Sequence, residues 1–126
     1  MNRAICLQIM NKRRRGSQGE TIAVDYLIKK NYRVLEQNYR FERGEIDIIA
    51  YDGDILVFIE VKARSSTAYG EPIEAVTRSK QKQIRKVAEG YLLEHSIEDT
   101  SCRFDVITIL LNKGNPEIEH YIDAFT

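Results

Sequence analysis

At 126 residues the chain is expected to form one domain around a single core. Hydrophobic residues make up 43%, charged residues 30%, and the formal net charge is zero, the profile of an ordinary globular protein rather than a disordered or collagen-like chain. No apolar run approaches the roughly 20 residues of a membrane-spanning helix, and Ala4 to Met10 is too short and poorly flanked for a signal peptide.

Cys6 and Cys102 have no metal-binding spacing, so reduced thiols and a cytoplasmic location are expected. The charges are unevenly spread. Residues 1–43 carry ten Lys/Arg against four Asp/Glu, while residues 94–126 carry two against seven. A local basic surface is therefore compatible with a neutral chain.

Residues 1–15 read as a basic arm ending in Lys12, Arg13, Arg14 and Arg15, either solvated or in contact with phosphates. Residues 16–126 form the domain. Ser17 to about Lys30 is predicted helical. Ser17 and Glu20 have capping-box spacing, and Ala23, Val24 and Leu27 form an apolar stripe. Glu20 lies on that stripe, so it either completes the cap or points inward as a carboxylate. A strand follows over 32–38, then a polar and basic link over 39–43 ending at Gly44.

Residues 45–51 and 55–61 read as two strands rich in Ile, Val and Phe, with Asp52-Gly53 as a two-residue turn. In that register Tyr51 faces Asp54, Asp47 faces Phe58 and Glu60 faces Glu45. Alternation then puts Glu45, Asp47, Glu60 and Lys62 on one face, with Asp47 and Glu60 on a diagonal. Charges inside such apolar strands are costly unless they are paired or bind a metal.

The remaining elements are a loop over 65–72, a helix over 77–94, a strand over 103–111, turn residues over 112–116 and a strand over 117–122. The second helix has a stripe of Ile84, Val87, Ala88, Tyr91 and Leu92, with Arg78, Lys80, Lys82, Arg85 and Lys86 near its start. Lys80 and Gln81 fall on the N-terminal end of that stripe, where they could reach a phosphate. The first three strands suit an antiparallel meander, and the fourth, after a helical crossover, suits parallel pairing with a central strand. The fold class expected is α/β: a mixed central sheet flanked by helices, with the first helix covering the carboxylate face. Asp105 reads as structural, pairing with Arg103 or a helix cation. His95 and His120 receive no role.

Two carboxylates on one face are hard oxygen ligands for Mg²⁺ or Mn²⁺, which prefer one or two protein carboxylates plus water and substrate oxygens. Lys62, two residues from Glu60, could orient or deprotonate an attacking water or stabilise charge on phosphorus. Taken singly, a strand Glu-x-Lys pair is usually an exposed salt bridge. The shared face and apolar surround favour the metal reading.

Asp47 with Glu60-Val61-Lys62 resembles the PD-(D/E)XK nuclease motif in the arrangement of archaeal Holliday-junction resolvases. RGEIDIIA, VFIEVKAR, YGEPIEAVTRSKQKQI, CRFDVI and the terminal IDAF resemble, more closely, the YraN-like family of bacterial endonuclease-like proteins, over nearly the whole chain from Gly16 to Phe125. The resemblance implies a restriction-endonuclease-like α-β-β-β-α-β core, with Asp47, Glu60 and Glu20 as metal ligands and Lys62 as the catalytic lysine. Glu45-Ile46 precedes Asp47 where the motif's name has Pro; within the YraN-like family GEID is the usual form. Related nucleases place a Gln near the site, the position of Gln81. Arg64, Arg78, Lys80, Gln81, Lys82 and the arm's Arg13, Arg14 and Arg15 are the implied DNA contacts, Arg64 alternatively pairing with Glu42. Tyr69 could stack on a base or simply pack. The implied partner is DNA, branched or otherwise structured, and two symmetric cuts would need a homodimer. The competing readings are a non-catalytic nucleic-acid-binding scaffold and a phosphodiesterase acting on RNA or nucleotides.

Overall fold

The computed structural model describes residues 14–65, 76–111 and 114–126. The element order is α1 (Arg14–Lys29), β1 (Arg33–Phe41), β2 (Gly44–Asp52), β3 (Ile55–Arg64), α2 (Arg78–Glu94), β4 (Cys102–Leu110) and β5 (Glu117–Phe125). The five strands form one mixed sheet in sequence order. β1, β2 and β3 are an antiparallel meander, β4 is parallel to β3, and β5 is antiparallel to β4. This is the expected α/β core, and the single parallel pair is the one that a helical crossover requires. Among the described residues no helix is long and apolar enough to cross a membrane.

The two helices among the described residues lie on opposite faces. Ala23 and Leu27 of α1 are buried against Ile48, Ala50, Val57, Ile59, Ile107 and Ile109. Ile84, Val87, Ala88 and Tyr91 of α2 are buried against Ile46, Ile49, Leu56 and Phe58. α2 begins as its sequence dictates: Thr77 is the N-cap, and its Oγ1 accepts from the Lys80 N–H at 3.1 Å.

Three expected boundaries move. α1 starts at Arg14, so Ser17 lies inside the helix rather than at its cap, and Arg14 and Arg15 belong to the first turn instead of an arm. Arg is a good helix former, and no breaker separates Arg14 from Gly16. Lys12, Arg13, Tyr69 and Gly70 lie outside the described residues. β1 runs on to Phe41, where a link was expected, and the chain reverses at Glu42-Arg43 with Glu42 at φ 54°. β5 runs on to Phe125.

The β2–β3 turn is also displaced. Asp52 pairs with Ile55 and Tyr51 with Leu56, so the loop is Gly53-Asp54 rather than Asp52-Gly53. Gly53 has φ +59° and Asp54 does not share a positive φ, the pattern of a turn with glycine at its first central position. The shift from the expected register is two residues, which preserves the face of every side chain on β3.

Candidate active site

The β2–β3 ladder stops at the pair Ile48–Ile59. One step further the backbone of β2 is replaced by a side chain: the Val61 N–H donates to Asp47 Oδ2 at 2.8 Å. Continued, the observed register would set Asp47 across from Glu60, not on the expected diagonal. The pleat of β2 slips here. Ile46 and Ile49 both join the α2-side core, while Ile48 and Ala50 join the α1-side core. Asn38 of β1 lies beside Asp47, between the pairs Gln37–Ile48 and Tyr39–Ile46, and holds φ 53°. Asn tolerates this left-handed conformation better than most residues, and a left-handed residue inside a strand interrupts alternation. One expectation falls with it: Glu45 does not share the face of the acid pair and instead meets Arg40 Nε at 3.3 Å.

Glu60 follows Leu56 and Phe58 at alternate positions of β3, so its side chain projects toward α2. It is 5% exposed. Its Oε2 is buried without a hydrogen-bond partner. Two lysines approach from different elements: Lys62 Nζ is 3.8 Å from Oε1, and Lys80 Nζ is 4.0 Å from Oε2. Both are beyond hydrogen-bond reach. Burial first, and the charge of Asp47 second, push the Glu60 carboxyl from its ordinary 4.5 up to about 7, against the pull of Lys80 and Lys62.

An unpartnered buried carboxylate oxygen beside a second carboxylate is an unstable arrangement by itself. A divalent cation between Asp47 and Glu60 would satisfy the stranded oxygen and cancel the repulsion. Both donors are hard oxygens, so the residues present fit Mg²⁺ or Mn²⁺.

The other expected site residues divide. Lys62 and Lys80 flank Glu60. Gln81 is half-buried, and its Nε2 donates to the Val76 carbonyl at 3.1 Å, which secures the start of α2 rather than the acid pair. Arg78 and Lys82 are exposed on α2, and Arg64 is half-buried near the end of β3. Glu42 pairs with Lys86 at 3.2 Å, so the alternative Arg64–Glu42 pair is replaced.

Glu20 lies on α1. The stripe of α1 covers the face opposite Glu60, with Gly19 set against Ala63 and Ile109. The stripe could be read from periodicity, but not which sheet face would receive it. Among the described residues no three His, Cys, Asp or Glu side chains converge as a metal-binding group.

A second polar cluster was largely missed. Asp105 is fully buried and takes Arg103 Nε on Oδ1 at 2.8 Å, and His120 Nε2 lies 2.7 Å from its Oδ2. The Asp123 N–H donates to Oδ1 at 3.0 Å. Arg103 also reaches Asp52 at 3.0 Å and Tyr32 at 2.8 Å, and the Tyr26 hydroxyl is 3.2 Å from His120 Nδ1. The pairing of Asp105 with Arg103 matches the structural reading. His120 gave no local signal, because its partners lie on other elements.

The model of the uncharacterised protein family UPF0102 matches residues 19–109. A UPF0102 protein of Chlorobium limicola is 51% identical over 116 residues, spanning 87% of this chain and 90% of its own. One from Geobacter metallireducens is 49% identical over 110 residues, spanning 87% and 90%. One from Acetivibrio thermocellus is 49% identical over 110 residues, spanning 86% and 85%.

Proposed function

The chain belongs to the uncharacterised protein family UPF0102, and we propose that it is a divalent-metal-dependent endonuclease hydrolysing DNA phosphodiester bonds. The observation that carries the reading is Glu60 Oε2, buried without a hydrogen-bond partner beside Asp47, with a lysine on either side. A purely structural acid would have its oxygen satisfied. The arrangement also agrees with the PD-(D/E)XK pattern of an Asp on one strand and Glu-x-Lys on the next.

In this reading Asp47 and Glu60 hold the cation. When bound, it supplies an activated water and neutralises charge on the phosphate. Asp47 is fixed by the Val61 N–H, so its position does not depend on the metal. Lys62, on the same face as Glu60, orients the attacking water by donating to it and stabilises the negative charge that develops on the phosphate oxygens. Lys80 approaches from α2 and holds a non-bridging phosphate oxygen. Glu60 itself is buried on the α2 side of the sheet, which limits screening of its charge by bulk water.

A second reading, a scaffold that binds nucleic acid without cutting it, draws on one observation: no third acid joins the pair among the described residues. One experiment separates the two. Supercoiled, linear and four-way-junction DNA are incubated with the protein and Mg²⁺ or Mn²⁺, beside Asp47→Ala and Lys62→Ala. Cleavage should fall by about 10²–10⁴-fold in Lys62→Ala and vanish in Asp47→Ala. Cleavage unchanged from the wild type in both variants would sink the mechanism. Salt-sensitive binding without any metal-dependent cleavage would favour the scaffold.

A further inference from the structure

A groove of about 730 Å³ lies on the α2 side of the sheet, between the β1–β2 turn and the first half of α2. Its cations are Arg43, Lys82 and Lys86, all exposed, against one acid, Glu42. Its floor is closed by buried Val87 and by Gly44, where a Cβ would collide with Val87.

The groove is joined to the acid pair by a short polar relay. Gln83 bridges the two walls, its Nε2 donating to the Arg43 carbonyl at 3.4 Å. Its Oε1 accepts from Lys80 Nζ at 3.3 Å, and Lys80 stands 4.0 Å from Glu60 Oε2. A polymer lying along the groove would thus run toward Asp47 and Glu60.

The lining also selects the form of the polymer. Single strands are gripped largely by stacking unpaired bases on exposed aromatic rings. Among the described lining residues the aromatic is Phe41, which is half-buried with its ring packed on Gly90 of α2. A basic groove lined by three exposed cations and one half-buried ring suits the sugar–phosphate backbone of a duplex, whose bases stack on one another.

We infer that this groove holds the phosphates of one strand of a DNA duplex beside the reacting phosphodiester, with Arg43, Lys82 and Lys86 as the contacts. The inference rests on the nuclease reading of the acid pair. Glu42, which holds Lys86 at 3.2 Å in the free protein, is displaced when the strand enters.

The test is metal-free binding, so it does not require cleavage. Fluorescence anisotropy with a mixed-sequence duplex in EDTA, repeated across a salt series, gives the number of phosphates neutralised. Lys82→Gln with Lys86→Gln should weaken binding about tenfold and lower the slope of log affinity against log salt by roughly two. Glu42→Gln should tighten binding several-fold, an effect that a merely structural role would not produce. Lys29→Gln with Lys30→Gln, at the end of α1, should leave the slope unchanged. An unchanged slope in the Lys82/Lys86 variant, an equal fall in the α1 variant, or tighter binding of single strands than of duplex would each overturn the inference. If the slope falls as expected but no cleavage is ever seen, the groove stands and the nuclease reading fails. If cleavage depends on Asp47 but the slope does not move, the nuclease reading stands and the groove fails.

Discussion

Glu60 carries a charge that its surroundings resist. Its carboxyl is raised from 4.5 to about 7, so between those values the folded state binds more protons than the unfolded state. Stability from this group is therefore full below about pH 4.5 and is lost as pH rises through 7. Glu60→Gln keeps the shape and removes the charge. Its melting temperature should exceed that of the wild type at pH 8, and the gap should close at pH 5. Mg²⁺ at pH 8 should raise the melting temperature of the wild type and leave Glu60→Gln unmoved. Thermal melts at two pH values, with and without the ion, check both statements. A wild type indifferent to Mg²⁺ and Mn²⁺ would count against the cation site.

At the scale of elements, β2 is held against α2 by contacts too close for a larger residue. A Cβ at Gly44 would meet Val87 and lie 3.0 Å from Gln83 Cγ. Gly44→Ala should destabilise by about 1–3 kcal/mol, the usual range for overpacking, measured by urea unfolding. It should also widen the gap between Lys80 and Glu60, because Gln83 orients Lys80.

The same scale shows what could be read in advance. α2 was legible to within a residue, because Thr77 offers a cap and Ile84, Val87, Ala88 and Tyr91 repeat with helical period. The shared face of Glu60 and Lys62 was legible from alternation alone. The β1–β2 reversal was not, because Glu42 takes a left-handed φ without the Gly or Asn that signals one. The hairpin register was off by two because Asp52-Gly53 and Gly53-Asp54 are both acceptable loops. The pleat slip at Asp47 lies beside Asn38 of another strand, and local patterning contains no trace of it.

At the scale of the whole molecule, the Asp105 cluster ties distant parts together. Through Arg103, Asp52, Tyr32, His120 and Tyr26 it links β4 to β2, the start of β1, β5 and α1. Burial alone would raise the Asp105 carboxyl, but hydrogen bonds from His120, Arg103 and the Asp123 N–H outweigh it and hold the group below its usual range. Its contribution is present above the unfolded pKa and is lost as pH falls through the lowered one. Asp105→Ala should cost about 3–5 kcal/mol, since it leaves part of a buried charge network uncompensated. Urea unfolding at pH 7 measures it. A loss below 1 kcal/mol would mean that Asp52 alone satisfies Arg103.

The division of the site between sheet and helix has an evolutionary corollary. The acids sit on β2 and β3, while much of the positive charge sits on α2 and the β1–β2 turn. Burial and the neighbouring Asp47 disfavour the Glu60 charge, whereas Lys82 and Lys86 of α2 are exposed. On the proposed nuclease reading, one substitution at Glu60 would therefore yield a sturdier protein that keeps its grip and loses its chemistry. The route from cutter to binder runs downhill in folding free energy. A chain that still carries Asp47, Glu60 and Lys62 together stands at the top of that slope.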